Sequence, residues 1–176
     1  MRIARAALLA PLVAVLLVPT ASQARSRAAV APVGSLQAAL VGHVNAFRAA
    51  HGLSRLRVSA SLTAAAAGHS TQMARLGYFS HNSANGASFS RRILAYYSVR
   101  GYRSWTAGEN LLWASPDVGA ARALKLWLAS PPHRANLLNP RWRELGLSAV
   151  HSPSAPGVYR NAPATIVTAD FGARSR

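Results

Sequence analysis

Between Ser35 and Gly77 the apolar residues recur three and four positions apart, and an alternation of two is met only after Ala107. That order of periods constrains the fold more than any other feature of the chain. Helices come first, then a strand, a further helix and a closing pair of strands. It suggests an antiparallel sheet with helices packed on it, in the α+β class.

Leu36, Leu40, Val44 and Phe47 line the first helix, which Gly52 ends. Asn45 and Arg48 lie three apart within it, a spacing equally suited to reaching a neighbouring element and to facing water. Val58-Ser59-Ala60-Ser61 offers a cap for a second helix ending at Gly77, with Leu62, Ala66, His69, Met73 and Leu76 on one stripe. His69 is therefore expected as a hydrogen-bonded core residue. Phe79 to Ser88 is a polar loop opened by His81, and a third helix carries Phe89, Ile93, Leu94 and Tyr97 to near Gly101.

Ala107 to Trp113 reads as a short strand leaving a glycine turn. Ser115-Pro116-Asp117 then has the form of a helix start: cap, proline, first-turn acid. Val118, Ala121, Leu124 and Leu128 would form that helix's inner face with Trp127 beside them. Ser130-Pro131-Pro132 stops it and can cap a short helix through Leu138, with His133 in the first turn. There the helix dipole disfavours a protonated imidazole, so a neutral, ligand-ready ring is expected. Glu144 to Val150 and Thr165 to Phe171 alternate as strands around a loop from Ser152 to Gly157.

The first 24 residues have the form of a signal peptide: a basic start with Arg2 and Arg5, an apolar run from Ala6 to Pro19, and small residues at Ser22 and Ala24. Residues 25–34 read as a flexible lead-in, 35–172 as the folded domain and 173–176 as a basic tail. Cleavage after Ala24 would lower the formal charge from +16 to +14 by removing Arg2 and Arg5. No later segment is long and apolar enough to span a bilayer. The chain has no cysteine, so disulfides play no part and a thiol nucleophile is excluded. A secreted, periplasmic or envelope-associated bacterial monomer is expected. Its charge favours anionic envelope components. The arginines are scattered, no nucleic-acid-binding motif is present and export argues against such a partner, so none is expected.

Three polar residues stand out. His81, Glu109 and His133 lie in Tyr78-Phe79-Ser80-His81, Gly108-Glu109-Asn110 and Ser130-Pro131-Pro132-His133-Arg134. Glu109 is one of only four acids in the chain. Two imidazoles and a carboxylate suit a divalent metal such as zinc, and suit equally a proton-transfer pair in which Glu109 orients a histidine or serves as base. No H-E-x-x-H and no G-x-S-x-G occurs.

In this order the motifs resemble the CAP superfamily, the SCP-like extracellular proteins, in its compact bacterial branch. The resemblance runs from Leu36 to Gly172. It rests on Val44-Asn45-Ala46-Phe47-Arg48-Ala49-Ala50-His51-Gly52-Leu53, Ala67-Gly68-His69-Ser70-Thr71-Gln72-Met73-Ala74, the three motifs above with Trp127, and Leu145-Gly146-Leu147. It implies a three-layer α-β-α sandwich whose central cleft holds a His/Glu tetrad. His81, Glu109 and His133 match three of its members, and the two histidines match the positions that bind zinc in some relatives. Asn110, Trp127 and Ser130 match positions that support the cleft, and Ser130 stands where eukaryotic relatives carry a second glutamate. Relatives have been linked to sterol and fatty-acid binding, protease activity, cell-wall association and host defence. Three functions follow as expectations: a secreted binder of a metal, a lipid or an envelope ligand; a zinc-dependent hydrolase of peptide or envelope substrates; and a structural envelope protein.

Overall fold

The computed structural model describes residues 29–176. The elements run β1 (Ala31–Pro32), α1 (Gly34–Ala50), β2 (Arg57–Val58), α2 (Ala60–Leu76), α3 (Phe89–Leu94), β3 (Ser104–Ala114), α4 (Ala120–Ala129), α5 (Pro131–Leu138), β4 (Glu144–Ala155) and β5 (Ala162–Ser175). The sheet has the order β1-β4-β5-β3, with β2 added parallel to the start of β4. The long pairings, β3 with β5 and β4 with β5, are antiparallel.

The alternation along β4 and β5 sorts the helices into two layers. Leu147, Ala149, Val167, Ala169 and Phe171 pack with Leu40 and Val44 of α1, Ala123 and Trp127 of α4 and Leu137 of α5. The other face meets α2 and α3 through Met73, Leu62, Ala65 and Ile93. The result is the expected α-β-α sandwich.

Local signals explain much of this. Ser59 Oγ accepts from the Leu62 N–H at the start of α2, and Gly77 closes that helix at φ 74°, a left-handed conformation that costs glycine little. Asn45 and Arg48 both turn inward. Asn45 exchanges two hydrogen bonds with the Leu56 backbone. Arg48, fully buried, donates to the carbonyls of Ser54, Leu137 and Asn139, tying α1 to the end of α5.

The structure differs from the sequence reading at the element ends. The expected signal peptide lies outside the described residues. Within the expected lead-in, Ala31 and Pro32 pair with His151 and Val150. The expected basic tail is strand: Ala173, Arg174 and Ser175 pair with Thr106, Trp105 and Ser104. The expected loop from Ser152 begins later, because β4 continues to Ala155. In each case backbone pairing with a neighbour extends a strand past the point where the apolar alternation stops. Leu76, at the end of its stripe, is 60% exposed. α4 starts at Ala120 rather than at Ser115, since β3 stays paired through Ala114 and five residues carry the chain off the sheet. That start puts Ala123, not Ala121, on the buried face beside Trp127.

The helix layer sits close to the sheet at Gly146 in β4. A Cβ there would stand 2.0 Å from the Leu62 carbonyl carbon and 2.2 Å from the Thr63 nitrogen, both backbone atoms of α2. Gly146→Ala is therefore expected to cost about 3 kcal/mol by forcing helix and sheet apart. Thermal unfolding should show a fall in Tm on the order of 10 °C. Gly119→Ala, where a Cβ meets nothing within 4 Å, should change it little.

Candidate functional site

β3 is an edge strand, so both helical layers reach it. Glu109 and Asn110 are consecutive there and project to opposite faces. Gly108, just before them, lies inside the strand and not in a turn. A Cβ at Gly108 would come within 2.7 Å of the Trp142 ring and 3.0 Å of Asn136 Oδ1, so glycine lets those side chains close over the strand.

The Glu109 side chain is fully buried on the α2–α3 face. Its Oε1 lies 2.7 Å from His81 Nδ1, and its Oε2 accepts from Arg92 Nη2 of α3. Arg92 also donates to the His81 carbonyl at 3.0 Å and to Ser83 Oγ at 3.3 Å. One buried guanidinium thus holds both the loop and the carboxylate. The His81 side chain is 51% exposed. A carboxylate can only accept, so Nδ1–H donates to it, and Nε2 is the ring nitrogen directed away from the carboxylate.

Asp170 stands opposite Glu109 in the β3–β5 register. It is fully buried, and neither of its oxygens meets a donor on the protein. Burial, then the neighbouring Glu109 charge, raises its pKa well above the usual carboxylate range, only partly opposed by Arg92. Burial and the Glu109 charge thus both disfavour an ionised Asp170. His69, from α2, is also buried and lies 2.9 Å from the Ser80 carbonyl through Nε2. Burial and Arg92 push its pKa down to about 4, against the opposing pull of Glu109 and the Ser80 bond. It is a neutral core residue that braces the loop carrying His81.

On the other face, Asn110 Nδ2 donates to the His133 carbonyl and Asn110 Oδ1 accepts from Asn136, both at 3.0 Å. Asn136 also donates to the Glu109 carbonyl. His133 occupies the first turn of α5, half-buried. Its pKa is lowered, first by burial and then by the positive field of His81. Burial, rather than the helix dipole invoked from the sequence, is the chief cause of that lowering. Trp127 Nε1 donates to the Leu111 carbonyl, fixing α4 to β3 one residue beyond Asn110. Ser130 caps α5 through its backbone, with its carbonyl accepting from Arg134 N, and its hydroxyl makes no capping bond.

His81 and Glu109 thus meet directly, and His133 joins through Asn110 and Asn136. Both Glu109 oxygens have a partner and its side chain is wholly buried. Sequence reasoning missed Arg92, Asn136 and Asp170. Only Asp170 left a signal: an acid in phase with Ile166 and Thr168 on one face of an apolar strand. Among the described residues no three His, Asp or Glu side chains form a metal-ligand group. Two imidazoles, those of His81 and His133, are too few for a closed structural metal site.

The family model for CAP, the cysteine-rich secretory protein family, matches residues 41–171. An uncharacterised protein of Bacillus subtilis, YkwD, is 30% identical over 122 residues, covering 69% of this chain and 45% of the relative. The chain therefore spans about half the length of that relative. An extracellular Bacillus anthracis protein containing an SCP domain is 28% identical, with a TM-score of 0.61, over 81% of this chain and 41% of that one. An outer surface protein of Borrelia burgdorferi, 18% identical, shares the fold with a TM-score of 0.68 over 84% of this chain and 99% of its own.

His69 has a testable pH signature. Its value of about 4 in the folded state lies below its ordinary 6.5, so between those values the unfolded chain holds a proton the native chain lacks. Stability contributed there is present above pH 6.5 and is lost as pH falls towards 4, by about 3 kcal/mol in all. Urea unfolding across that window should show the rise with pH in the wild type. In His69→Gln, which can keep the Ser80 bond, the slope should fall by about one proton, while the opposite slope contributed by Asp170 remains.

Proposed function

The chain belongs to the CAP family, the cysteine-rich secretory protein family, and from that premise we propose that it works outside the cell as a binding domain rather than as a hydrolase. The carrying observation is that His81 and Arg92 occupy both oxygens of buried Glu109. A general base needs a lone pair facing the substrate, and the Glu109 side chain, wholly buried behind His81 and Arg92, presents none to solvent. What it does supply is orientation. It fixes the His81 tautomer so that Nε2 is a lone-pair donor at the rim, with the neutral His133 ring as the second donor. A carboxylate behind a ligating imidazole is the arrangement that strengthens a metal-bound histidine.

A divalent ion such as Zn2+ held by these two imidazoles would retain open positions for solvent or for an envelope ligand. An extracellular setting is supported by the form of residues 1–24 and by the names of the Bacillus anthracis and Borrelia burgdorferi relatives. Among the described residues no helix is long and apolar enough to cross a membrane. A lipid ligand has separate support. An open cavity of about 580 Å³ between the starts of α1 and α4 is lined by Val33, Leu36, Val118 and Ala120. The hydrolase reading lacks its second acid, since Ser130 occupies that position.

Zinc titration by calorimetry, with native mass spectrometry for stoichiometry, separates these readings. The wild type should take up one Zn2+. His81→Ala with His133→Ala should stay folded and take up none. Glu109→Gln, which keeps the shape but weakens the carboxylate behind His81, should lower affinity roughly 10- to 100-fold. Undiminished uptake by the double variant would sink the imidazole site. Peptide or ester hydrolysis that Glu109→Gln abolishes while zinc uptake persists would restore the hydrolase.

A further inference from the structure

A second polar site lies at the end of the sheet where β2 and β4 begin and β5 closes. Arg55, Arg57, Arg143 and Arg174 come together there from three separate stretches of chain, around a cavity of about 310 Å³ also lined by Tyr102 and Glu144. Arg174 is four residues along β5 from Asp170, about 13 Å at strand spacing, so this is a different site from the imidazole rim.

Glu144 is the one acid lining the cavity, and its oxygens are committed. Oε1 takes Arg57 at 3.3 Å, while Oε2 takes Arg174 at 3.3 Å and the Tyr97 hydroxyl. Four guanidiniums against one carboxylate leave a net charge of +3. Two of the cations are held in place. Arg174 lies 3.8 Å above the Tyr97 ring and 4.6 Å from that of Tyr102. Arg143 Nη1 donates to the carbonyls of Pro140, Arg141 and Trp142. Arg55 makes no side-chain hydrogen bond or ion pair among the described residues, and the Arg57 side chain is 78% exposed. The charge is felt underneath as well: the buried Arg48 guanidinium is pushed down, first by burial and then by Arg143.

We propose that this four-arginine pocket binds a phosphoryl group. A carboxylate offers two oxygens and satisfies one guanidinium fork. A phosphoryl group offers at least three, and can bridge forks arriving from different strands. Preset arginines around a group of that size also lose less side-chain freedom on binding than flexible lysines would. The ligand is either a soluble phosphorylated compound or the phosphate of a lipid headgroup at an anionic surface. The site does not depend on the imidazole reading.

The test uses inorganic pyrophosphate, followed by calorimetry at low salt, and vesicles of phosphatidylcholine with 20% phosphatidylglycerol, followed by flotation. Arg55→Gln with Arg57→Gln removes two exposed forks. Arg75→Gln with Arg122→Gln removes the same charge from two exposed helix positions elsewhere and serves as the control. Circular dichroism and an unchanged thermal unfolding midpoint verify that each variant is folded. Pyrophosphate affinity should fall at least 10-fold in the pocket variant and less than 2-fold in the control. Vesicle capture lost only in the pocket variant would place the phosphoryl group on a headgroup. Capture unchanged in both, with pyrophosphate binding lost, would make the ligand soluble. Equal losses in the two variants, or no pyrophosphate binding by the wild type, would overturn the pocket and leave net charge alone as the cause of any anion affinity.

Discussion

Everything at the imidazole site depends on one strand step. Glu109 and Asn110 are neighbours in β3, and because successive strand residues face opposite ways, one reaches each helical layer. Glu109 takes hold of the α2–α3 loop through His81 and of α3 through Arg92. Asn110, with Asn136, takes hold of α5 at His133. This could not happen in the middle of the sheet, where the helical layers are a full sheet thickness apart. At the edge the two layers can meet around β3, so two histidines 52 positions apart in sequence are organised by a single dipeptide. Asn136 and Trp127, donating to the Glu109 and Leu111 carbonyls, cover part of an edge that would otherwise offer unpaired backbone to another chain.

Burying Glu109 has an electrostatic cost, and the surroundings show how it is met. A buried carboxylate needs a partner charge and satisfied lone pairs. Arg92 supplies the first, and with His81 supplies the second. A second ionised acid directly across the strand pair would undo that balance, and burial and Glu109 push the Asp170 carboxyl towards its neutral form. His69, near the same Arg92, avoids a second buried cation by staying neutral. Of four titratable groups packed around the loop base, the two that carry opposite charge in the dry interior are bonded to each other. The other two are pushed towards their neutral forms, and a fifth group, the exposed His81, meets Glu109 through Nδ1.

How much of this the sequence disclosed follows from the range over which each signal acts. α1, α2 and α5 were legible because their periods and caps are local: Ser59 and Gly77 act within one turn of the helix they close. His81, Glu109 and His133 were legible as a set because each stands in a distinctive short motif. Arg92 was not, since in a chain with twenty basic residues another arginine carries no information. Asp170 was visible as an acid out of keeping with its strand, but its significance lies in the residue it faces, and strand register is not written in local sequence. Ser115-Pro116-Asp117 misled for a related reason. It has the form of a helix start, yet the sheet pairing of β3 holds the chain extended until Ala114 and the helix begins after it.

The two polar sites are built on opposite logic, which bears on what each can do. Around Glu109, charge is neutralised group by group, and the interior is closed by side chains that could not shift without exposing a buried ion or acid. Such a site has much capacity to hold an imidazole in one orientation. Around Glu144, by contrast, one carboxylate gathers more positive charge than it can cancel, and it does so at the solvent boundary, where Arg57 remains exposed. A structural ion pair needs only one cation per acid. Four arginines line one cavity with a single carboxylate that pairs with two of them, and two are immobilised by aromatic rings or backbone carbonyls, which leaves an excess of positive charge suited to an added anion.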